Sequence, residues 1–398
     1  MQLQGETTHH TAQKEESGIC IVVRTLKGLI IIVRRANLSF GTLFVVFCKK
    51  VKNMDYSQKL RQINNRYNPD SSMLVEQRMF SGESAYDKDV ARYVMRAMKA
   101  VDEEYTKRTK AAGEAVKQHL KESLTNVSYE YQGSVMTDTH IRGASDIDLL
   151  VLCEKFVGTD IFKVREELAK TWKYNSYQLG RLCRFDNSFS QYEGNSSLDM
   201  AFLRTQIEKI MSHTYTICDI SKPKAVKITN QNFHRDVDIV TSSWFQSLDY
   251  VLDGMPDNKR GIKIYNKSTG LSEGPDYPFL SISRINQRSS DTNGRLKRMI
   301  RFLKNVRTDP EKNIPLTSFE INAICYSIPV QDYAEKEYKE LVHILWSTMF
   351  HLWNDGKQDE LKSVVGDEYI FKDKPEKLAA LKVLEDEVYK INTDLGNI

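Results

Sequence analysis

Two aspartates stand one residue apart at the start of an apolar stretch, DIDLLVL. Successive side chains of a strand alternate between its faces, so Asp146 and Asp148 project together while Ile147 and Leu149 face the core. Two neighbouring carboxylates repel, and burial strengthens the repulsion unless a cation lies between them. Hard cations such as Mg²⁺ take carboxylate oxygens and keep positions for phosphates. On its own such a pair is weak evidence and also occurs at solvated strand ends; a two-metal site for phosphoryl chemistry is the interpretation that further residues must support.

A Gly-Ser pair lies about a dozen residues upstream of the aspartates. Gly133 and Ser134 follow the alternating stretch VSYEYQ, and we expect them to end a strand and open a helix. Backbone N–H groups and a hydroxyl at such a helix start can hold a phosphate, and glycine lets the backbone approach it closely. Alone, the pair would indicate an ordinary turn. Joined to the aspartates in GSVMTDTHIRGASDIDLLV, it is far more specific.

A two-metal site needs a third carboxylate, usually from a neighbouring strand. The stretch HRDVDIV supplies two on one face, and Asp238 has the more apolar neighbours. We therefore select Asp238 as the metal ligand and keep Asp236 as the alternate. Asp199 in SSLDMAF is a weaker rival, because its surroundings indicate a loop entering a helix.

Periodicity predicts the elements that position these residues. Apolar residues at helical spacing predict one long amphipathic helix over residues 85–124. The stretches KAVKIT and HRDVDIVTSS predict two strands that extend the sheet of DIDLLVL. Residues 255–291 contain three prolines and several glycines and are predicted to be loop-rich. We expect a catalytic lobe over residues 54–255 and a helical lobe over residues 256–398.

Charge separates the first 53 residues from the rest. They contain eight Lys/Arg and three Asp/Glu, a net charge of +5, whereas the remainder carries −1. Basic residues interrupt their apolar runs too early for a transmembrane helix. We interpret residues 1–53 as a doubtful leader, upstream sequence translated from an early start codon, with Met54 as the alternative start. A nearly neutral body argues against bulk binding of nucleic acid.

Cysteine usage indicates the compartment and excludes a zinc site. The six cysteines stand far apart in the sequence, without CxxC spacing. That pattern excludes a disulfide framework and fits a reducing cytosol.

The string GSVMTDTHIRGASDIDLLV, together with HRDVDIV, resembles the DNA polymerase β-like nucleotidyltransferases. Within that superfamily it is most similar to the bacterial CD-NTases, cyclic-oligonucleotide synthases related to cyclic GMP-AMP synthase. The resemblance implies an α+β fold: a polymerase β-like nucleotidyltransferase lobe, with a mixed sheet and a long spine helix, followed by a mostly helical C-terminal lobe. It implies that Gly133 and Ser134 hold the donor triphosphate. It also implies that Asp146, Asp148 and Asp238 bind two Mg²⁺ ions, for which Mn²⁺ can substitute.

A basic helix follows the loop-rich stretch. Residues 284–307 contain eight Lys/Arg and one acid, and Lys297 and Lys304 lie on one stripe of the helix. A solvated basic face is the alternative, but the resemblance implies that one of these two lysines contacts the donor phosphates. In the same way LTSFEINAI implies that Ser318 contacts the nucleotide, with a plain capping box at that helix start as the alternative.

The resemblance also implies a function. It predicts a Mg²⁺-dependent enzyme of the bacterial cytoplasm that joins nucleoside triphosphates, ATP among them, into a cyclic di- or trinucleotide and releases pyrophosphate. The expected context is anti-phage signalling of the CBASS type, with room for a regulatory protein partner, and without a membrane or a stably bound long nucleic acid. Two alternatives remain open. A CCA-adding or poly(A)-type RNA nucleotidyltransferase would want a more basic body, and adenylylating transferases are usually smaller.

Overall fold

The computed structural model describes residues 21–26, 29–38, 41–50, 54–66, 85–143, 146–308 and 313–396, with backbone alone before residue 51 and for residues 64–66 and 85–88. The chain forms two compact units, Met1–Asp55 and Tyr56–Ile398. In the first unit, strands β1 (Ile21–Leu26), β2 (Leu29–Leu38) and β3 (Gly41–Lys50) form an antiparallel sheet in that order. The interpretation of residues 1–53 as a translated leader stays a prediction.

The second unit combines one sheet with many helices. Its strands are β4 (Val127–Gln132), β5 (Ile147–Thr159), β6 (Cys218–Asp219), β7 (Ala225–Asn230), β8 (Arg235–Gln246), β9 (Gly261–Asn266) and β10 (Leu271–Asp276). Its helices are α1 (Tyr56–Arg66), α2 (Ala85–Met98), α3 (Glu103–Lys121), α4 (Ile161–Leu168), α5 (Ser176–Ser188), α6 (Ser196–Thr214), α7 (Leu248–Leu252), α8 (Pro278–Asp291), α9 (Arg295–Thr308), α10 (Ser318–Ser327), α11 (Val330–Tyr333), α12 (Tyr338–Asn354) and α13 (Pro375–Asp394). No helix within these described ranges is both long and apolar enough to cross a membrane.

A mixed sheet organises this unit and confirms the predicted α+β class. The strand order is β10-β9-β8-β5-β4, with β7 paired to β8 and β6 to β7. At the centre β5 and β8 run parallel, and their register sets Asp148 directly beside Asp238. On its other side β8 pairs antiparallel with β7. The central pairing therefore joins two aspartates that lie far apart in the sequence.

Apolar side chains cover both faces of the sheet. Leu149 and Ile239 belong to a core that α3 and α6 complete on one face. Leu150 and Val240 belong to the core on the other face, where Phe279 of α8 packs. Because residues alternate along a strand, the two aspartates of the central pair project on the α8 side.

Helix α9 connects the helical C-terminal part to the end of α2 and to the turn after β4. Arg301, which is 6% exposed, donates to the backbone carbonyls of Met98 and Asp138. Asn305 donates to the carbonyl of Ala97. The bonds to Met98 and Ala97 satisfy carbonyls at the end of α2 that lack a helical partner. The mostly helical C-terminal lobe predicted from the sequence is confirmed by α8 to α13.

The single helix predicted over residues 85–124 is wrong, because the structure has two helices there. The first ends at Met98 and the second begins at Glu103. The side chain of Asp102 accepts a 2.7 Å hydrogen bond from the N–H of Tyr105, so Asp102 caps the start of the second helix. Val101 in the break is buried, which explains why the apolar spacing continues across it.

The prediction of a loop-rich stretch over residues 255–291 is also wrong. This stretch contains the antiparallel pair β9 and β10, followed by α8. Pro278 is the first residue of α8, a position whose N–H has no partner within a helix. The proline therefore starts a helix rather than breaking one.

Candidate active site

Three carboxylates converge at the start of the central parallel pair. Asp146 immediately precedes β5, Asp148 is its second residue, and Asp238 lies beside Asp148 on β8. Burial, together with the nearby Asp238 and Asp146, raises the pKa of Asp148 to about 7. Burial also raises the pKa of Asp238. The side chains selected from the sequence therefore form a cluster in which like charges oppose one another.

Gly133 approaches this cluster more closely than any other residue type could. Its φ is +84°, and a Cβ at this position would lie 2.2 Å from Oδ2 of Asp148. The following residues form consecutive turns rather than the helix expected from the sequence, with the N–H of Thr139 bonded to the carbonyl of Ser134. Asp138 has a left-handed φ of +51°, which ends the right-handed turns. The Gly-Ser pair thus lies against the cluster, but in a tight turn.

Lys304 reaches the same turn from α9. It is 1% exposed, and its Nζ donates a 2.9 Å hydrogen bond to the carbonyl of Thr139. Burial, together with the nearby Arg307, lowers the pKa of Lys304 to about 7, although Asp148 opposes the shift. Lys304 therefore lies in the electric field of the carboxylate cluster, beside the turn that contains Ser134.

Lys297 lies in a different place. It lines a cavity of about 430 Å³ together with Asp138, Asn286 and Arg298. Burial lowers its pKa, and Asp138 partly offsets that effect. The structure thus brings Lys304, rather than Lys297, to the carboxylate cluster.

Ser318 is the first residue of α10. Thr317 caps this helix in a reciprocal capping box with Glu320, as the alternative interpretation expected. The guanidinium of Arg307 donates to the carbonyl of Leu316, so the segment leading to Ser318 is tied to the end of α9. The structure describes no contact between Ser318 and the carboxylates, and its contact with a nucleotide stays a prediction.

The weaker rival, Asp199, belongs to another network. It lies in α6, where it accepts hydrogen bonds of 2.6 Å from both Lys155 and Tyr192. The structure places it outside the carboxylate cluster.

Sequence reasoning missed two lysines of the cluster. Lys227 on β7 pairs in register with Asp238, and its Nζ lies 2.6 Å from Asp146 Oδ2 and 2.8 Å from Asp236 Oδ2. Lys222, just before β7, has its Nζ 3.5 Å from Asp238 Oδ1. The signal was present, because a hairpin of KAVKIT and HRDVDIV sets a lysine opposite the DxD of the second strand.

Asp236, the alternate ligand, contacts Lys227 and Thr229. Thr229 donates a 2.6 Å hydrogen bond to its Oδ1, and Lys227 contacts its Oδ2. Burial raises the pKa of Asp236, but hydrogen bonds from Lys227 and Thr229 outweigh burial and hold the pKa below its usual range. Both of its oxygens thus have protein partners.

Comparisons with known proteins now decide the family. A relative from Lachnospiraceae bacterium (strain RUG226), a c-di-GMP synthase, is 66% identical over 346 residues, which are 87% of this chain and 100% of that protein. The chain belongs to the cGAS/DncV-like nucleotidyltransferase (CD-NTase) family. Residues 283–391 match the model of the CD-NTase C-terminal helical domain. The predicted family and enzyme class are therefore confirmed.

Solved structures of this family have the same fold. The chain superposes on a STING-associated CdnE c-di-GMP synthase from Flavobacteriaceae sp. with a TM-score of 0.76 and 36% identity, covering 87% of this chain and 99% of that one. The corresponding enzyme from Capnocytophaga granulosa gives a TM-score of 0.68 and 40% identity over 86% and 99% of the two chains. The predicted synthesis of a cyclic nucleotide messenger agrees with the activity for which these relatives are named.

CD-NTases use divalent metal ions, and the residues of the cluster fit such an ion. Oδ1 of Asp238 is buried, and it faces the Lys222 ammonium at 3.5 Å without a closer hydrogen bond among the described residues. Asp148 is desolvated beside two other carboxylates, an arrangement that a cation stabilises. Within the described ranges, no three acidic, histidine or cysteine side chains already form a ligand set for an ion. The carboxylates must therefore adjust to bind one, starting from an arrangement in which lysines lie against them.

Proposed function

We propose that this CD-NTase condenses two molecules of GTP into c-di-GMP and releases two molecules of pyrophosphate. The choice of base and product rests on one observation: 66% identity along the full length of a c-di-GMP synthase. The chemistry rests on the register that places Asp148 beside Asp238 next to Gly133. Two relatives are described as STING-associated, and we place this enzyme in the same signalling context.

In this proposal Asp146, Asp148 and Asp238 hold two Mg²⁺ ions, and Mn²⁺ can replace them. When bound, the ions supply Lewis-acid activation of the attacking hydroxyl and charge neutralisation at the leaving pyrophosphate. Gly133 allows the donor phosphates to approach the backbone of the turn, and the Ser134 hydroxyl is a donor to them.

The remaining roles concern the developing negative charge. Lys304 is buried beside the turn, where a positive charge acts strongly because water is excluded. Lys297 and Ser318 stay predicted nucleotide contacts.

The reaction consists of the same exchange of bonds twice. A ribose 3′-hydroxyl oxygen of one nucleotide forms a bond to the α-phosphorus of the other, the bond from that phosphorus to the bridging oxygen breaks, and pyrophosphate leaves with the electron pair. The hydroxyl proton is released to solvent. The linear dinucleotide then presents its free hydroxyl to its own α-phosphorus, and ring closure releases the second pyrophosphate.

The test is incubation of the full chain with α-labelled GTP, ATP or both in the presence of Mg²⁺ or Mn²⁺, followed by phosphatase and mass spectrometry. We expect GTP alone to give a phosphatase-resistant product with the mass of c-di-GMP, and D146N/D148N to give none. A product that requires ATP would contradict the assignment of the base. Label transferred to added tRNA or protein, without a cyclic product, would contradict the synthase assignment.

A further inference from the structure

The ammonium group of Lys227 lies between two acidic side chains at the candidate metal site. Its Nζ is 2.6 Å from Asp146 Oδ2 and 2.8 Å from Asp236 Oδ2. The lysine side chain is 26% exposed, so water screens these contacts only in part. A protonated lysine has three donors and no acceptor, so it cannot itself bind a metal ion.

The strand that carries Lys227 is firmly held. It pairs with β8 so that Lys227 opposes Asp238 and Thr229 opposes Asp236. Where this strand begins, Arg204 is 2% exposed and donates 2.9 Å hydrogen bonds to the carbonyls of Lys222 and Ala225. The fold therefore fixes the backbone of Lys227 beside the aspartates.

The contacts of the two acids differ in a way that assigns their roles. Asp236 uses one oxygen for Thr229 and the other for Lys227. Asp146 has no such hydroxyl partner among the described residues, and its Oδ2 contacts the ammonium alone. When a divalent cation takes this oxygen, it repels the ammonium and replaces its contact. Asp236 can then keep the displaced lysine.

We propose that Lys227 competes with the divalent ion for Asp146, and that Asp236 is the counter-ion of Lys227 rather than a metal ligand. This inference rests on the proposed function, since it takes Asp146 to be a ligand. It implies weak binding of divalent ions to the protein alone. Binding becomes tight once triphosphate oxygens complete the ligand set and outweigh the competition.

The test measures binding of Mn²⁺ to the full chain without nucleotide, by electron paramagnetic resonance of free Mn²⁺. K227M keeps the apolar stem and removes the charge, so we expect its Kd for Mn²⁺ to fall by at least about tenfold, which corresponds to about 1.4 kcal/mol. The matched control is K224M. Lys224 immediately precedes β7 and pairs with Glu273 at 2.6 Å rather than with an aspartate of the cluster, so the Kd of K224M should equal that of the wild type. An unchanged Kd in K227M would overturn the inference.

A double-mutant cycle tests the role of Asp236. If Asp236 only holds Lys227, D236N changes the Kd for Mn²⁺ less than about twofold once K227M is present. If it is a metal ligand, D236N weakens binding about tenfold or more in that background, which would overturn its assignment. Circular dichroism establishes that each variant is folded. If K227M does not fold, K227Q is measured in its place.

One further variant distinguishes the assignment of the metal ligands from the competition by Lys227. D146N/D148N should abolish binding of Mn²⁺. If it binds Mn²⁺ like the wild type, the metal ligands of the proposed function are wrong. If it loses binding while K227M remains unchanged, only the competition by Lys227 is wrong.

Discussion

Replacement of Gly133 by alanine should disable the active site while leaving the fold in place. The new Cβ would lie 2.2 Å from Asp148 Oδ2, although contacts of Cβ atoms under 3.0 Å essentially never occur in proteins. The backbone of the turn is held by its own hydrogen bonds, so the carboxylate is the group that moves. A shift of roughly 1 Å moves the Asp148 carboxylate away from its position beside Asp238 and the reacting phosphate.

The size of the effect follows from two separate costs. The left-handed φ of +84° costs an alanine about 1–2 kcal/mol relative to glycine. In a chain of this size that amounts to a fall of a few degrees in the melting temperature. Misplacement of a reacting group by about 1 Å lowers turnover about 10²-fold. Activity should therefore fall far more than stability.

The assay is the initial rate of pyrophosphate release, with the melting temperature measured in parallel by scanning fluorimetry. G270A is the matched control, because Gly270 has a similar φ of +70° and a Cβ there would meet nothing within 4 Å. It should lose stability like G133A and keep wild-type turnover. Equal turnover of the two variants would refute the close contact between Gly133 and Asp148 as a constraint on the active site.

Three further predictions follow from the same geometry. The pKa of Asp148, raised to about 7, means that the folded protein keeps a proton that the unfolded chain loses near pH 4. Without divalent ions, stability should therefore fall as pH rises between these values, and thermal melts in EDTA should show a smaller fall for D148N. K304M should lower kcat/KM about 10²-fold by removing a buried charge beside the phosphate turn, measured by steady-state kinetics at a melting temperature within a few degrees of the wild type. T317A should cost about 1 kcal/mol of unfolding free energy in urea, because it removes the capping box with Glu320.

Each of these has a clear contrary result. Identical pH profiles for wild type and D148N would mean that Asp148 is ionised without cost in the folded protein. Wild-type kinetics in K304M would remove this lysine from the phosphate site. E320Q removes the other partner of the capping box. If neither T317A nor E320Q changes the free energy of unfolding, tertiary contacts hold the start of α10 instead.

The members of the carboxylate cluster could be selected from the sequence because their choice depends on local rules. Alternation within a strand sets Asp146 and Asp148 on one side, and the apolar neighbours of Asp238 distinguish it from Asp236. The parallel register then places Asp238 beside Asp148. These features recur wherever one face of a strand is buried, so one sequence is enough to recognise them.

Other features depended on single side-chain contacts that periodicity does not encode. The break between α2 and α3 comes from a cap by Asp102, within an apolar pattern that continues across it. Pro278 looked like a helix breaker but occupies a first-turn position. The turn after Ser134 lacks the predicted helix because Asp138 adopts a left-handed conformation. The hairpin pattern places Lys227 opposite Asp238, but the contact of Lys227 with Asp146 joins residues that only the folded sheet brings together.

The parallel pairing of β5 with β8 also governs when during synthesis the site can exist. A chain still emerging from the ribosome has made Asp148 long before Asp238, and Lys304 follows later again. Pairing across such a distance is slow, and it begins only after the intervening helices have left the ribosomal tunnel. A prematurely terminated chain that ends before α9 therefore has all three aspartates but lacks Lys304, the lysine proposed to neutralise the phosphates. Such a fragment lacks part of the proposed site, which only a chain that includes α9 can assemble.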